Sequence, residues 1–367
     1  MHRFRRKVKQ MKVTVLGAGN GGVAAAWDWG IHGHEVALWS SPEYGDNLGP
    51  IAEKGGVTCL GSEAGFGEVA YAGSDIGKAL KGAELVLAVG PAYSTEAYAR
   101  AVKPHLSSDQ LYVVCPSSCL GAVVFKNALG LELRAESPVI GETSTLPYGV
   151  RVTGPAEITM YNKLKGGVFV AALPSTGTEQ LRAALAQVYP GVESGGSILQ
   201  TSLQNGNPVI HPATTLLNAS RIESPADFLF YEDGVTPASG GLIQAVDDER
   251  LAIAAKLGLR VLPDPEIGVL QGYMTEATYV DGYVTAPGFR GIVAQTALDH
   301  RYLVEDVGFG LVFLSDLARQ IGVPTPVMDA LITLASTILK RDFVAEQART
   351  LDSVGLGQLT VDELRRL

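Results

Sequence analysis

The chain is poor in the residues that most metal and disulfide chemistry needs. Three cysteines occur in 367 residues: Cys59, Cys115 and Cys119. Cys115 and Cys119 stand four apart, yet no second pair or nearby histidine completes a zinc set, so no metal is expected. A small odd count without framework spacing reads as reduced structural thiols, and hence as a cytoplasmic protein. No apolar run reaches the roughly 18 residues of a membrane-spanning helix, so no membrane partner is expected. A basic surplus is also missing. The formal net charge of −9 offers no footing to nucleic acid, although local charges could still hold a small anionic substrate. Histidine is scarce as well, with only His2, His32, His34, His105, His211 and His300. A near-neutral acid or base therefore has few candidates.

What is present describes an ordered, rather apolar protein, 46% hydrophobic and 18% charged, of a length that favours two domains. Residues 1–10 form a basic extension with Arg3, Arg5, Arg6, Lys7 and Lys9. It is expected to be disordered, or to precede a start at Met11. No apolar stretch follows it as a signal peptide would require. Over residues 11–195 short apolar runs alternate with helical stretches: Lys12–Leu16, Glu35–Trp39, Leu85–Val89 and Leu111–Cys115 read as buried strands. Val150–Thr153 and Gly167–Val170 read as further strands of the same unit. Such alternation predicts an α/β domain with a doubly wound, mostly parallel sheet. Ligands of such sheets bind beyond the carboxyl ends of the strands, so the loops at Gly90-Pro91, Pro116 and Gly141-Glu142-Thr143 are expected to line one cleft. Over 196–367 the pattern changes to helical periods at Ile243–Leu257, Gly291–Glu305, Phe309–Ile321 and Val327–Ile338, predicting a mainly α-helical C-terminal domain.

Gly17-Ala18-Gly19-Asn20-Gly21-Gly22 follows the first strand and opens a helix. This is G-x-G-x-x-G in the context that gives it meaning, a Rossmann dinucleotide site. Gly17 permits the tight turn, Gly19 lets backbone approach a pyrophosphate, and Gly22 lets helix pack on strand, while the helix N-terminus favours phosphate. Asn20, Gly21, Gly90 and Pro91 are placed with them around the cofactor. At the end of the second strand, where an acid would bond the NAD ribose, stand Ser40 and Ser41. Two hydroxyls and no acid lean the reading to NADP over NAD, although no arginine follows and Glu43 is near.

Downstream, Asn205-Gly206-Asn207-Pro208-Val209-Ile210-His211-Pro212 carries a histidine between an apolar run and a proline. An imidazole titrates where protons must move to match a hydride. Asn205 and Asn207 could orient it or bind a carbonyl. Arg290 or Arg301 could clamp a carboxylate bidentately, and Thr143 or Glu142 could meet substrate at a strand end. Blander readings accompany each. His211 could cap a helix starting near Pro212, and Glu142 could be a structural acid. Arg301 and Glu305 could be only a surface pair, and Tyr302, Phe309 and Leu311 read as core.

Together with Phe289-Arg290-Gly291-Ile292, Glu305-Asp306-Val307-Gly308-Phe309-Gly310-Leu311, Asp247–Arg250 and Gly141-Glu142-Thr143, these residues closely resemble the opine dehydrogenases of the octopine/nopaline type, from Met11 onward. The resemblance implies reductive condensation. The amine of an amino acid and the carbonyl of a 2-keto acid such as pyruvate form an imine, which NAD(P)H reduces. It also implies a histidine–aspartate dyad, His211 and Asp306, in which the carboxylate fixes the ring tautomer. A homodimer is the default for such a fold. Two alternatives stay open: a related reductase of a simple 2-keto or phosphorylated keto substrate, and a nucleotide sensor without turnover.

Overall fold

The computed structural model describes residues 10–367. The basic extension expected over residues 1–10 thus lies, but for its last residue, outside the described residues. Twelve strands occur among them: β1 (Lys12–Leu16), β2 (Glu35–Trp39), β3 (Gly56–Gly61), β4 (Gly65–Glu68), β5 (Tyr71–Gly73), β6 (Leu85–Val89), β7 (Leu111–Cys115), β8 (Val139–Thr143), β9 (Tyr148–Gly154), β10 (Glu157–Lys163), β11 (Val168–Ala172) and β12 (Val192–Ser194).

Eight of them form one sheet in the order β12-β11-β8-β7-β6-β1-β2-β5. From β5 to β8 it is parallel, with Val13 beside Val36 and Leu85, and β11 joins β8 antiparallel. The chain leaves β1 toward β2 on one side and returns to β6 on the other, so the crevice at the end of β1 is a topological switch point. The four expected strands of this sheet appear at their expected bounds. β9 does not extend it. With β3, β4 and β10, β9 makes a separate four-stranded sheet, order β4-β3-β10-β9.

The helix Asn20–Ile31 lies between the two sheets, which explains its composition. Ala24, Ala25 and Ala26 are buried along with Trp27 and Trp29, because a helix covered on several sides has no polar face to present. Asp28 is buried within it and is paired, accepting from Lys163 Nζ at 2.8 Å and Tyr148 OH at 2.9 Å. A buried charge needs such partners.

No β-strand follows Ser194, and helices take over. Ile198–Leu203, Asn207–Leu217, Pro237–Leu257, Asp264–Gln271, Val312–Ile321 and Pro326–Leu339 form the helical half. The longest begins at a capping box between Thr236 and Ser239, with Pro237 in its first turn, and ends at Gly258 with φ +71°, the expected asymmetry of helix ends. The expected helix over Gly291–Glu305 is a correction. Only Arg301–Glu305 is helical, preceded by an irregular segment that bridges Val293 to Leu229. Its apolar spacing serves packing of an extended segment, which periodicity alone does not distinguish from a helix.

The two halves share one core. Leu16, Val86 and Val114 on one face of the large sheet continue through Leu199, Leu203 and Val209 to Leu317 and Leu331. No described helix is long and apolar enough to cross a membrane.

Candidate active site

The glycine loop is built by exclusion. At Gly17, φ is +105° and a Cβ would collide with the Val89 carbonyl; at Gly22 it would strike the Gly17 carbonyl. Both positions admit only glycine because β1, β6 and the helix approach so closely. Gly19 differs, since a Cβ there would meet nothing within 4 Å. That open side, at the N-terminus of Asn20–Ile31, is a cradle with room for a pyrophosphate. Asn47 Nδ2 donates to Ala18 O at 2.7 Å and steadies the loop from outside. Asn20 Oδ1 accepts from Val152 N at 2.8 Å, tying β9 to the loop. At Gly90 a Cβ would collide with Ser94 Oγ, whose hydroxyl donates to Pro91 O at 2.7 Å.

His211 lies in the middle of the helix Asn207–Leu217, where Pro208 occupies the first turn and Pro212 the interior. It is not a helix cap. Its Nδ1 meets Asp306 Oδ2 at 2.7 Å, and its Nε2 meets Tyr231 OH at 3.1 Å. The ring stacks on Tyr302 with centroids 3.8 Å apart and planes at 20°. In the neutral imidazole, Nδ1–H donates to the carboxylate and the Tyr231 hydroxyl donates to Nε2. Burial pushes the Tyr231 phenol well above its ordinary range, so it keeps its proton. Nδ1 is thus committed to the carboxylate, and Nε2 is the nitrogen turned toward a hydroxyl.

Asp306 opens a π-helical stretch, Asp306–Leu311, that continues from Arg301–Glu305 into Val312–Ile321. Such insertions occur at functional sites because they rotate one residue out of the regular helical register. Gly310 lets this stretch press on the histidine helix, since a Cβ there would lie 2.5 Å from Pro208 Cγ. The spacing of Glu305, Asp306, Gly310 and Leu311 therefore has a packing reason.

Glu305 is no surface residue. It is 3% exposed. Its Oε1 accepts from Ala92 N at 2.9 Å and Ser118 Oγ at 3.1 Å, and its Oε2 takes Arg301 Nε at 3.1 Å. One carboxylate thus joins the catalytic helix to the loops that follow β6 and β7. Burial raises its pKa despite the nearby Arg301 charge. The second of these loops is held in an unusual form, with Ser118, Cys119 and Leu120 all at positive φ. Such backbone costs about 1 kcal/mol or more per residue. Arg349, from near the C-terminus, donates to Cys119 O, and Ser202 Oγ accepts from Leu120 N at 2.8 Å.

Several expected site residues lie elsewhere. Ser40 is buried, and its hydroxyl donates to Tyr44 O at 3.0 Å, so one of the two donors counted on for a 2′-phosphate is already engaged. Glu142 is fully buried and accepts from Ala122 N, Thr201 Oγ1 and Ser202 Oγ; it is a structural acid fastening β8 to two helices. Thr143, on the opposite strand face, lines an apolar interior space with Leu87, Cys115 and Tyr189, and its hydroxyl donates to Thr145 O. Strand alternation separates these two, and neither faces the dyad. Asn205 is buried, and its Oδ1 accepts from Asn207 N at 3.1 Å, shaping the start of the histidine helix. Asn207 is half-buried there. Arg290 is exposed beside Phe289. Arg301 is brought to the dyad helix with its side chain 47% exposed.

Tyr231 was not singled out by sequence, and Tyr302 read as core. Tyr231 lies in a loop with no periodic pattern. Phe289 stacks on it at 4.1 Å and completes an aromatic wall behind the histidine. The only sequence signal was the aromatic density of Phe228-Leu229-Phe230-Tyr231.

With this geometry in place, comparison with known proteins is informative. Residues 194–339 match the family described as NAD/NADP octopine/nopaline dehydrogenase, alpha-helical domain. An opine dehydrogenase of Arthrobacter sp. (strain 1C) is 35% identical over 360 residues, covering 98% of this chain and 99% of the relative. Vitopine synthase of Allorhizobium ampelinum is 28% identical, covering 94% of this chain and 96% of its own. A solved octopine dehydrogenase with NADH and L-arginine superposes with a TM-score of 0.78 at 19% identity, covering 97% of this chain and 98% of the other. An N-terminal Rossmann-type α/β region followed by a helical region is the fold that this chain has in common with the octopine dehydrogenase structure. The chain belongs to the opine dehydrogenase family, NAD(P)-dependent oxidoreductases acting on CH–NH donors.

Proposed function

We propose that the protein joins the amine of an amino acid to the carbonyl of a 2-keto acid and reduces the resulting imine, and catalyses the reverse oxidation. The observation that carries this reading is the buried His211–Asp306 pair at 2.7 Å, borne by helices that Glu305 fastens to the loops beyond β6 and β7. The relatives supply the substrate class: solved octopine dehydrogenases hold L-arginine in one case and pyruvate in another, each with NADH.

When bound at the Gly17–Gly22 cradle, the nicotinamide cofactor supplies the hydride. The remaining work is proton transfer and positioning. His211 Nε2 takes one proton from the ammonium group of the amino acid, freeing the amine to add to the carbonyl. The nitrogen's next proton passes to the alkoxide, and the imidazolium returns its own to the resulting hydroxyl, which leaves as water to give a protonated imine. Asp306 stabilises the imidazolium between these steps and holds the ring, while Tyr302 fixes its plane. Arg301 matches a substrate carboxylate. The proposed division of labour places nucleotide binding in residues 11–195 and catalysis in 196–367.

For the cofactor we propose NADH, reversing the sequence-based lean to NADP. The Ser40 hydroxyl is spent on Tyr44, and the stretch after it holds Glu43, Asp46 and Glu53 before the first cation, Lys54. These acids oppose a 2′-phosphate. The free, buried thiols support a reducing compartment such as the cytoplasm, and a homodimer is proposed on the general prevalence of two-fold assemblies.

The test is oxidation of NADH and of NADPH with pyruvate and a panel of amino acids, each partner omitted in turn. Oxidation that needs both partners and runs faster with NADH is expected. Oxidation by keto acid alone would replace the reading with a simple keto reductase, and tight cofactor binding without turnover would favour a sensor.

A further inference from the structure

The reaction proposed above handles two carboxylates, one on each substrate, and its product carries both on either side of the new C–N bond. Arg301 accounts for one of them. A second guanidinium approaches the same histidine from the other half of the chain. Arg151 lies on β9, in the smaller sheet, far from every motif that pointed to the site.

Two contacts place it. The next residue, Val152, donates its N–H to Asn20 Oδ1 at 2.8 Å, so this part of β9 lies against the nucleotide loop. The Arg151 guanidinium lies beside the Tyr302 phenol and its charge acts on that group, whose ring is stacked 3.8 Å from His211. Arg151 therefore stands between the cofactor cradle and the acid/base.

Among the described residues its one hydrogen bond is to the neighbouring carbonyl, Val150 O at 3.1 Å. The side chain is exposed, and among the described residues no carboxylate pairs with it. Arg301, by contrast, already shares its charge with Glu305 at 3.1 Å. On the catalytic segment its charge acts on His300 and Tyr302, while Asp306 is committed to His211. A planar donor fork with no anion of its own, facing a site for two carboxylates, is suited to bidentate capture of one.

We propose that Arg151 binds the substrate carboxylate that Arg301 does not hold, making it a specificity-determining residue for α-amino and α-keto acids over their decarboxylated analogues. This rests on the reading of the site as an opine-forming one. The same anion-binding chemistry could instead serve the cofactor pyrophosphate, and the experiment separates the two.

Arg151→Gln and Arg151→Lys are compared with the unaltered protein in three measurements. In steady-state assays, R151Q should raise KM for one carboxylate substrate by tenfold or more. The other KM should change less than threefold, and R151K should recover part of the loss. In NADH titrations by fluorescence, both variants should bind within twofold of the unaltered protein. In the NADH-loaded protein, iminodiacetate (the smallest secondary-amine dicarboxylate) should bind at least tenfold more tightly than N-methylglycine, which lacks one carboxylate. R151Q should abolish that preference. Unchanged KM values, an equal rise in both, or a retained preference for iminodiacetate would overturn the proposal. Weakened NADH binding would assign Arg151 to the pyrophosphate instead. The iminodiacetate comparison needs no turnover, so it judges Arg151 even if no amino acid and keto acid pair reacts, an outcome that would count against the proposed reaction alone.

Discussion

Glu305 accepts the backbone N–H of Ala92 at 2.9 Å, across 213 positions of sequence. This bond fastens the helical segment that leads into Asp306 to the loop at the end of β6. In the proposed reaction it holds the His211–Asp306 pair of one half against the strand ends of the other.

That bond predicts a difference between two variants. Glu305→Gln keeps an oxygen for Ala92 and Ser118 and should lose about 1 kcal/mol of stability or less. Glu305→Ala leaves the buried Ala92 N–H without a partner and should lose about 1–3 kcal/mol. Urea unfolding reads both. Equal losses would mean that the charge facing Arg301, rather than the bond to the loop, is what matters.

Replacing the histidine tests the chemistry directly. His211→Ala should lower turnover by roughly 10²–10⁴, with NADH affinity near that of the unaltered protein. Turnover close to normal would remove His211 from the acid/base role.

Tyr231→Phe removes the donor at His211 Nε2, 3.1 Å away. The hydroxyl orients the Nε2 edge of the ring, so without it kcat for the condensation should fall by about tenfold with NADH affinity unchanged. An unchanged kcat would leave Tyr231 as packing only.

Asp264 gives a stability signature. Burial first, and then the charge of Asp247, raise its pKa from 3.8 to about 6. Between pH 4 and 6 the folded state therefore binds more protons than the unfolded state, and this group's contribution to stability falls as pH rises through that window. The stability of the unaltered protein minus that of Asp264→Asn should decline from about pH 4 to about pH 6.5. A flat or rising difference would contradict a raised pKa.

Residues whose role is local were legible in advance. The four central strands of the large sheet, the glycine loop and the His211 segment follow from apolar runs, from positions where backbone approach excludes a side chain, and from one scarce imidazole. Periodicity misled at Gly291–Glu305, because an irregular segment on an aromatic wall spaces its apolar residues much as a helix does. Ser40, Glu142 and Thr143 had suitable chemistry but the wrong direction. Ser40 turns to Tyr44, and Glu142 and Thr143 point to opposite faces of one strand, a distinction that depends on what packs against each face.

By itself, then, the sequence determined the α/β and helical halves, the glycine cradle and the histidine proposed as the acid/base. These rest on short-range backbone sterics and on residue chemistry. Only the tertiary structure decided which groups meet across the chain: Tyr231 and Tyr302 on the histidine, Glu305 on the β6 and β7 loops, and Arg151 over the site from a second sheet. Those contacts arise when the two halves bury a common core, and no spacing along the chain encodes them, because burial is a property of the packed whole.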